Sequence, residues 1–286
     1  MEQDEHSLNF FLFFFAFMIL YFILVYNLQA DVWLRRKISG RFRRFLLPAI
    51  SSEHLPHLVR CFPFYNKLND NARRLFEGRV QNFINEKEFI PRGGYETVTG
   101  EMKALIAGSA VQLTFGYPTI NFRHFGKILI YPDDYYSTIT KKYHKGEVNQ
   151  GGIIVLSWKN LTEGFRNQED GVHLGLHEMA HALRLINIVD NEEYDFYDRA
   201  LMQDFDREAL LEIQKMEQDN GEHFFRSYGA TNPDEFFAVA VEVFFELPDG
   251  FFAYHPRLYA MMAAILKMDL RIGSPRPFSE KAFGWR

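Results

Sequence analysis

Hydrophobic and polar positions change their pattern several times along the chain. From Ser7 to Ala30 no charged residue occurs, and FFLFFFAFMILYFILVY (10–26) is apolar on every face. Some 20 residues rising about 1.5 Å each span roughly 30 Å, the thickness of a bilayer core, so this run predicts a transmembrane helix. A cleaved signal peptide is not expected, because the leading MEQDEHS is acidic and no small-residue cleavage pattern follows. Further on, NDNARRLFEGRVQNFINEKEF (69–89) and VTGEMKALIAGSAVQLTFG (98–116) have helical spacing, the second with Thr99 as N-cap. KILIYP (127–132) and GGIIVLSW (151–158) are short β-branched runs closed by turn residues and predict strands. The segment between them, 133–150, reads as a long polar, mobile connection.

Helical spacing then returns. GVHLGLHEMAHALRLINIV (171–189) predicts a helix buried in a globular core, its preceding acidic residues suiting the helix dipole. A second membrane span is disfavoured there by Glu178, Arg184 and three histidines. REALLEIQKMEQD (207–219) and PDEFFAVAVEVFFEL (233–247) predict two further helices, and the proline- and glycine-rich tail from Arg271 is expected to be irregular. The fold class is α+β, predominantly helical, with a small sheet beside the 171–189 helix. Residues 1–30 form the expected anchor, 31–50 a basic juxtamembrane segment, and 51–286 the main domain.

Charge refines this organisation. Arg35, Arg36, Lys37, Arg41, Arg43 and Arg44 crowd just after the apolar run, while no basic residue precedes it. The positive-inside rule therefore predicts a single-pass protein whose main domain faces the cytoplasm. The net charge of −5 argues against nucleic acid as a direct partner, since phosphate binding needs a clustered cationic surface. Cys61 is the only cysteine, so no internal disulfide can form.

Candidate chemistry lies in His177, Glu178 and His181, an H-E-x-x-H pattern. Residues four apart on a helix share a face, so both imidazoles can reach one ion, with Glu178 placed to take a proton from a water that zinc acidifies. The extended pattern with a third histidine fails, because Arg184 and Asn187 stand at the required glycine and histidine positions. Glu192 and Glu193 fall just past the helix end, too near the turn to fold back. The downstream SYGATNPDEFFAVAVEVFFE (227–246) is the better source of a third ligand. Spacing alone leaves Glu235 open between that role and a capping box closed on Asn232 and Pro233.

That downstream stretch resembles the anthrax lethal factor protease domain through Tyr228, Gly229, Thr231, Asn232, Glu235, Phe236, Phe237 and Ala238. A longer resemblance, over residues 60–270, is to the Mlc titration factor A family of bacterial zinc peptidases. It is carried by VTGEMKALIAGSAVQL, ILIYP, IIVLSW, HEMAHAL, EFFAVAVEVFF and HPRLYAMM. The resemblance implies a zincin-like, gluzincin-type domain with Zn2+ on His177, His181 and Glu235. It also implies Glu178 as general base and Tyr228 as hydrogen-bond donor to the oxyanion; a core aromatic is the competing reading of Tyr228. His173 reads as supporting a ligand or incidental. Glu242, seven residues after Glu235, reads as an acceptor for a ligand imidazole or as a solvated surface residue.

Two functions follow as expectations. One is a membrane-anchored metallopeptidase, with aminopeptidase activity known in the family, whose peptide substrate pairs with an edge strand at residues 153–158 in a bacterial inner-membrane protein. The other is a regulatory protein that sequesters a cytoplasmic transcriptional regulator, its zinc mainly structural. The first departs from the family's soluble members in its anchor. Intramembrane proteolysis is excluded, since the H-E-x-x-H helix is separate from the span.

Overall fold

Asn69 begins the first long helix by accepting a hydrogen bond from the Ala72 amide at 3.0 Å, and Phe76, Val80 and Phe83 then fall on one buried face. This computed structural model describes residues 47–283, except 118, 138–140, 190–192, 194–195, 219–220, 222, 272–274 and 280–282. The apolar run and the basic stretch 33–44 lie outside the described residues. Among the described residues, no helix is long and apolar enough to cross a membrane. Residues from Pro48 onward form one compact unit.

In chain order the elements are α1 (Leu55–Cys61), α2 (Pro63–Asn66), α3 (Asp70–Glu86), β1 (Glu88–Pro91), α4 (Gly100–Leu113), β2 (Lys127–Tyr131), β3 (Tyr135–Ser137), β4 (Lys142–His144), β5 (Gly146–Asn149) and β6 (Ile153–Ser157). There follow α5 (Trp158–Arg166), α6 (Leu174–Ile188), α7 (Arg199–Gln218), a 3-10 turn (Ser227–Thr231), α8 (Pro233–Glu246), α9 (Pro248–Tyr254), α10 (Pro256–Leu266), β7 (Met268–Asp269) and β8 (Arg276–Pro277). The α+β, mainly helical class is the observed one.

The helix expected over 69–89 stops three residues early. At Lys87 the backbone turns extended, and residues from Glu88 pair in parallel with β2, Phe89 opposite Ile128. Sheet hydrogen bonds replace the last helical turn, and the buried Lys87 ammonium donates to the Phe122 carbonyl at 2.7 Å. Helix α4 has the expected Thr99 cap on the Met102 amide, 3.2 Å away, and is buried on nearly every face.

The main sheet runs β1-β2-β6-β5, its first three strands parallel and β5 antiparallel at the edge. This corrects two expectations. Residues 133–150 are not a plain connection, because they contain the β3–β4 hairpin and β5. Nor is 153–158 an edge: β6 pairs on both sides, with Ile154 between Ile128 and Val148. Polar side chains on β5 hid a strand that needs only one covered face.

Helix α6 packs against α4, α8 and the strands β5 and β6. At Gly175 a methyl group would sit 2.6 Å from Ser109 Oγ, so the glycine is what lets α6 approach α4 so closely. Phe76→Ala should cost about 3–5 kcal/mol and Thr99→Ala about 1 kcal/mol, compared by urea unfolding; equal losses would contradict this core.

Candidate metal centre

Helix α6 starts at His173, whose ring Nδ1 accepts from the Leu176 amide at 3.2 Å and so caps the helix with an imidazole. One turn later His177 and His181 project from the same face. Helix α8 starts at Asn232, whose side chain accepts from the Asp234 and Glu235 amides, both at 2.9 Å, with Pro233 in the first turn. The expected cap is thus present, but the Glu235 carboxylate is turned to the imidazoles.

Three donor atoms converge there. His177 Nε2 lies 3.1 Å from His181 Nε2 and 3.1 Å from Glu235 Oε2, and His181 Nε2 lies 3.4 Å from the same oxygen. Bonds of about 2.0–2.1 Å at tetrahedral angles separate ligand atoms by ~3.3 Å, so the triangle has the dimensions of three corners of a zinc tetrahedron. Among the described residues this is the one His/Cys/Asp/Glu group able to hold a metal ion. Burial would lower the His177 pKa, but hydrogen bonds to Glu235 and Glu242 outweigh it and raise it to about 9. The same two imidazoles hold Glu235 well below the carboxylate range despite its own burial. The two shifts are the two sides of one imidazolium–carboxylate pair.

Behind it stands Glu242, with no solvent exposure. Its Oε1 accepts from His177 Nδ1 at 2.7 Å and from the Arg226 guanidinium, and its Oε2 accepts from the His173 amide. The surface reading of Glu242 is thereby excluded. His173 contributes no donor atom to the triangle; burial lowers its pKa to about 4, leaving it neutral.

Glu178 is buried beside the histidines, and burial raises its pKa although both imidazoles act to lower it. Its carboxylate lies against the edge strand: a methyl group on Gly146 would come within 2.3 Å of Glu178 Oε1. Tyr228 is 51% exposed, so it is no core residue. Its ring lies 5.7 Å from that of His177, and its pKa is raised, first by burial and then by the Glu235 and Glu178 carboxylates.

Arg184, which replaces the glycine of the extended pattern, pairs with Asp206 through two hydrogen bonds and with Asp234, and lies over the Phe237 ring. It ties α6 to α7 and α8. Glu193 accepts from the Asn121 and Arg123 amides instead of approaching the histidines; Glu192 lies outside the described residues. Sequence reasoning missed Arg226 and Gly146. An arginine before a turn and a glycine after a lysine carry no local mark of their use.

A family model for the glucose-regulated metallo-peptidase M90 family matches residues 35–267. An uncharacterized protein of Synechocystis sp., slr2042, is 28% identical over 248 residues, covering 80% of this chain and 87% of that protein. Mlc titration factor A of Cronobacter sakazakii is 25% identical over 228 residues, covering 70% and 80%. The protein of that name from Escherichia coli O7:K1 is also 25% identical, covering 72% and 83%.

Glu242→Ala should destabilise the fold by about 3–5 kcal/mol, because it strands the Arg226 charge and frees the His177 ring. It should also weaken divalent-metal affinity by about 10–100-fold in chelator competition. Unchanged affinity would show that Glu242 does not hold the imidazole.

Proposed function

The chain belongs to the glucose-regulated metallo-peptidase M90 family, and on that footing we propose that it is a zinc-dependent peptidase that hydrolyses peptide bonds. The observation that carries the proposal is the triangle of His177 Nε2, His181 Nε2 and Glu235 Oε2 with a buried carboxylate, Glu178, at its side. In this reading the three donors hold Zn2+, which when bound supplies Lewis acidity to a carbonyl group and to water.

The remaining work falls to side chains of this chain. Glu178, its pKa raised by burial, accepts the proton of the attacking water and passes it to the departing amine. Tyr228 stands exposed beside the His177 ring, where its phenol can donate to a developing oxyanion without carrying charge. The peptide lies along β5, whose outer edge has no strand partner among the described residues and whose Gly146 lies against Glu178. Aminopeptidase action is the finer form of this proposal.

A second reading comes from the relatives' name, Mlc titration factor A. By analogy this chain sequesters a transcriptional regulator, with the metal serving structure. The proposal also includes the apolar run from Ser7 to Ala30 as a single-pass anchor in the inner membrane. The basic residues after it would hold the metal-centre domain on the cytoplasmic side.

Glu178→Gln should keep one equivalent of zinc by elemental analysis while kcat falls about 10²–10⁴-fold. Unaltered peptide hydrolysis would sink the peptidase reading, and partner capture without any hydrolysis by the unmodified protein would favour the second. Tyr228→Phe should lower kcat about 10²–10³-fold with KM nearly unchanged. Deleting residues 1–30 should move the protein from the carbonate-resistant membrane fraction to the supernatant; a soluble full-length chain would refute the anchor.

A further inference from the structure

The backbone around Tyr228 is fixed by its own turn. Gly229 donates its amide to the Arg226 carbonyl at 2.9 Å, and Thr231 Oγ1 donates to the Tyr228 carbonyl at 2.7 Å. The side chain is exposed and needs a separate hold. Exposed side chains change rotamer within nanoseconds, whereas a phenol that stabilises an oxyanion has to be in place beforehand. Two groups flank the ring. One is the His177 imidazole, with 5.7 Å between ring centres. The other is the Arg226 guanidinium, whose central carbon lies over the ring, 5.4 Å from its centre.

Arg226 is itself anchored. Its Nη2 donates to Glu242 Oε1 and lies 3.3 Å from His177 Nδ1, which donates to the same oxygen. Its Nε, by contrast, is buried with no hydrogen-bond partner. An orphaned buried donor is unfavourable, and a lysine could meet the Glu242 charge without one part-way along its stem. What arginine adds is a flat, delocalised cation that can cover an aromatic face. Charge neutralisation accounts for the contact with Glu242 but not for the choice of arginine or for the plane over Tyr228.

Building on the peptidase reading, we propose that Arg226 is a positioning residue for Tyr228: tied to the buried Glu242 carboxylate, its guanidinium holds the phenol ring ready for the oxyanion. Arg226 acts through Tyr228. One side chain thereby links the carboxylate that orients a metal-ligand imidazole to the donor expected at the oxyanion.

The test is a double-mutant cycle on the full-length protein in detergent, using Arg226→Lys, Tyr228→Phe and the two combined. Arg226→Lys keeps a cation for Glu242 but removes the plane. It should retain one equivalent of zinc and lower kcat roughly 3–30-fold with KM nearly unchanged, the range expected when a contact of this strength is lost. In the Tyr228→Phe background the same change should cost nothing further. A merely structural role would instead give losses that multiply, or loss of zinc. Should Arg226→Lys fail to fold, Arg226→Gln, whose amide can still donate to Glu242, takes its place in the cycle.

A second readout does not need hydrolysis. With 3-fluorotyrosine placed at position 228 alone, fluorine relaxation should report an ordered ring beside Arg226 and a mobile one in the Arg226 variant. Equal ring mobility in the two proteins, or multiplying losses in kcat, would overturn the proposal. If the unmodified protein cuts no peptide, the peptidase reading fails by itself, and the fluorine measurement still decides whether Arg226 holds the ring.

Discussion

A carboxylate sealed from solvent, Glu242, is the constraint on which the metal centre depends. An unpaired charge in a protein interior is prohibitively costly, so Glu242 must be met by donors from every side. Those donors come from three separate places: the His173 amide at the start of α6, the His177 ring one turn on, and Arg226 before the 3-10 turn. Satisfying one buried group thus locks two helices and a turn together. The bond to His177 Nδ1 also fixes which nitrogen faces the triangle, because the ring cannot rotate without breaking it.

Helix α8 shows how one residue type is given different work by its surroundings. Glu235, Glu242 and Glu246 are spaced by seven and four residues, so they lie along nearly one face. Two imidazoles hold Glu235 ionised as a donor in the triangle. Burial, and then the neighbouring Asp170 carboxylate, raise Glu246 to about 8. Glu242 between them is the fully buried tie. The donor triangle is mounted on long, packed helices, whereas its surroundings include a short edge strand and a 3-10 turn carrying the exposed Tyr228. Rigid elements set the donor geometry.

Much of this was legible in the chain. Helical spacing located α3, α4, α6 and α8, two caps were read correctly at Thr99 and Asn232, and β2 and β6 stood out as β-branched runs. The errors share a cause. β1 was hidden because the helical spacing over 69–89 runs on through Glu88 and Phe89, where parallel pairing with β2 takes over. β5 was hidden because Gly146–Asn149 is polar, and only its pairing with β6 makes it a strand. His173 as a helix cap had no precedent in its residue type. Glu242 could equally have faced water, since a glutamate on a helix looks the same on either face until its neighbours are known.

By itself, the sequence determined what depends on neighbours a few residues apart: the helices, their caps, and the one-turn spacing that puts His177 and His181 on one face. Whether a third donor reached them was open to local reading, because Glu235 lies 58 residues beyond His177 and suits a cap as well as a metal site. Tertiary structure made that choice, and also placed Arg226 and Gly146, selected β5 as the sheet edge and buried Glu242. The physical reason is that these roles arise from contacts between segments far apart along the chain. No periodicity records such contacts, and packing alone brings them within bonding distance.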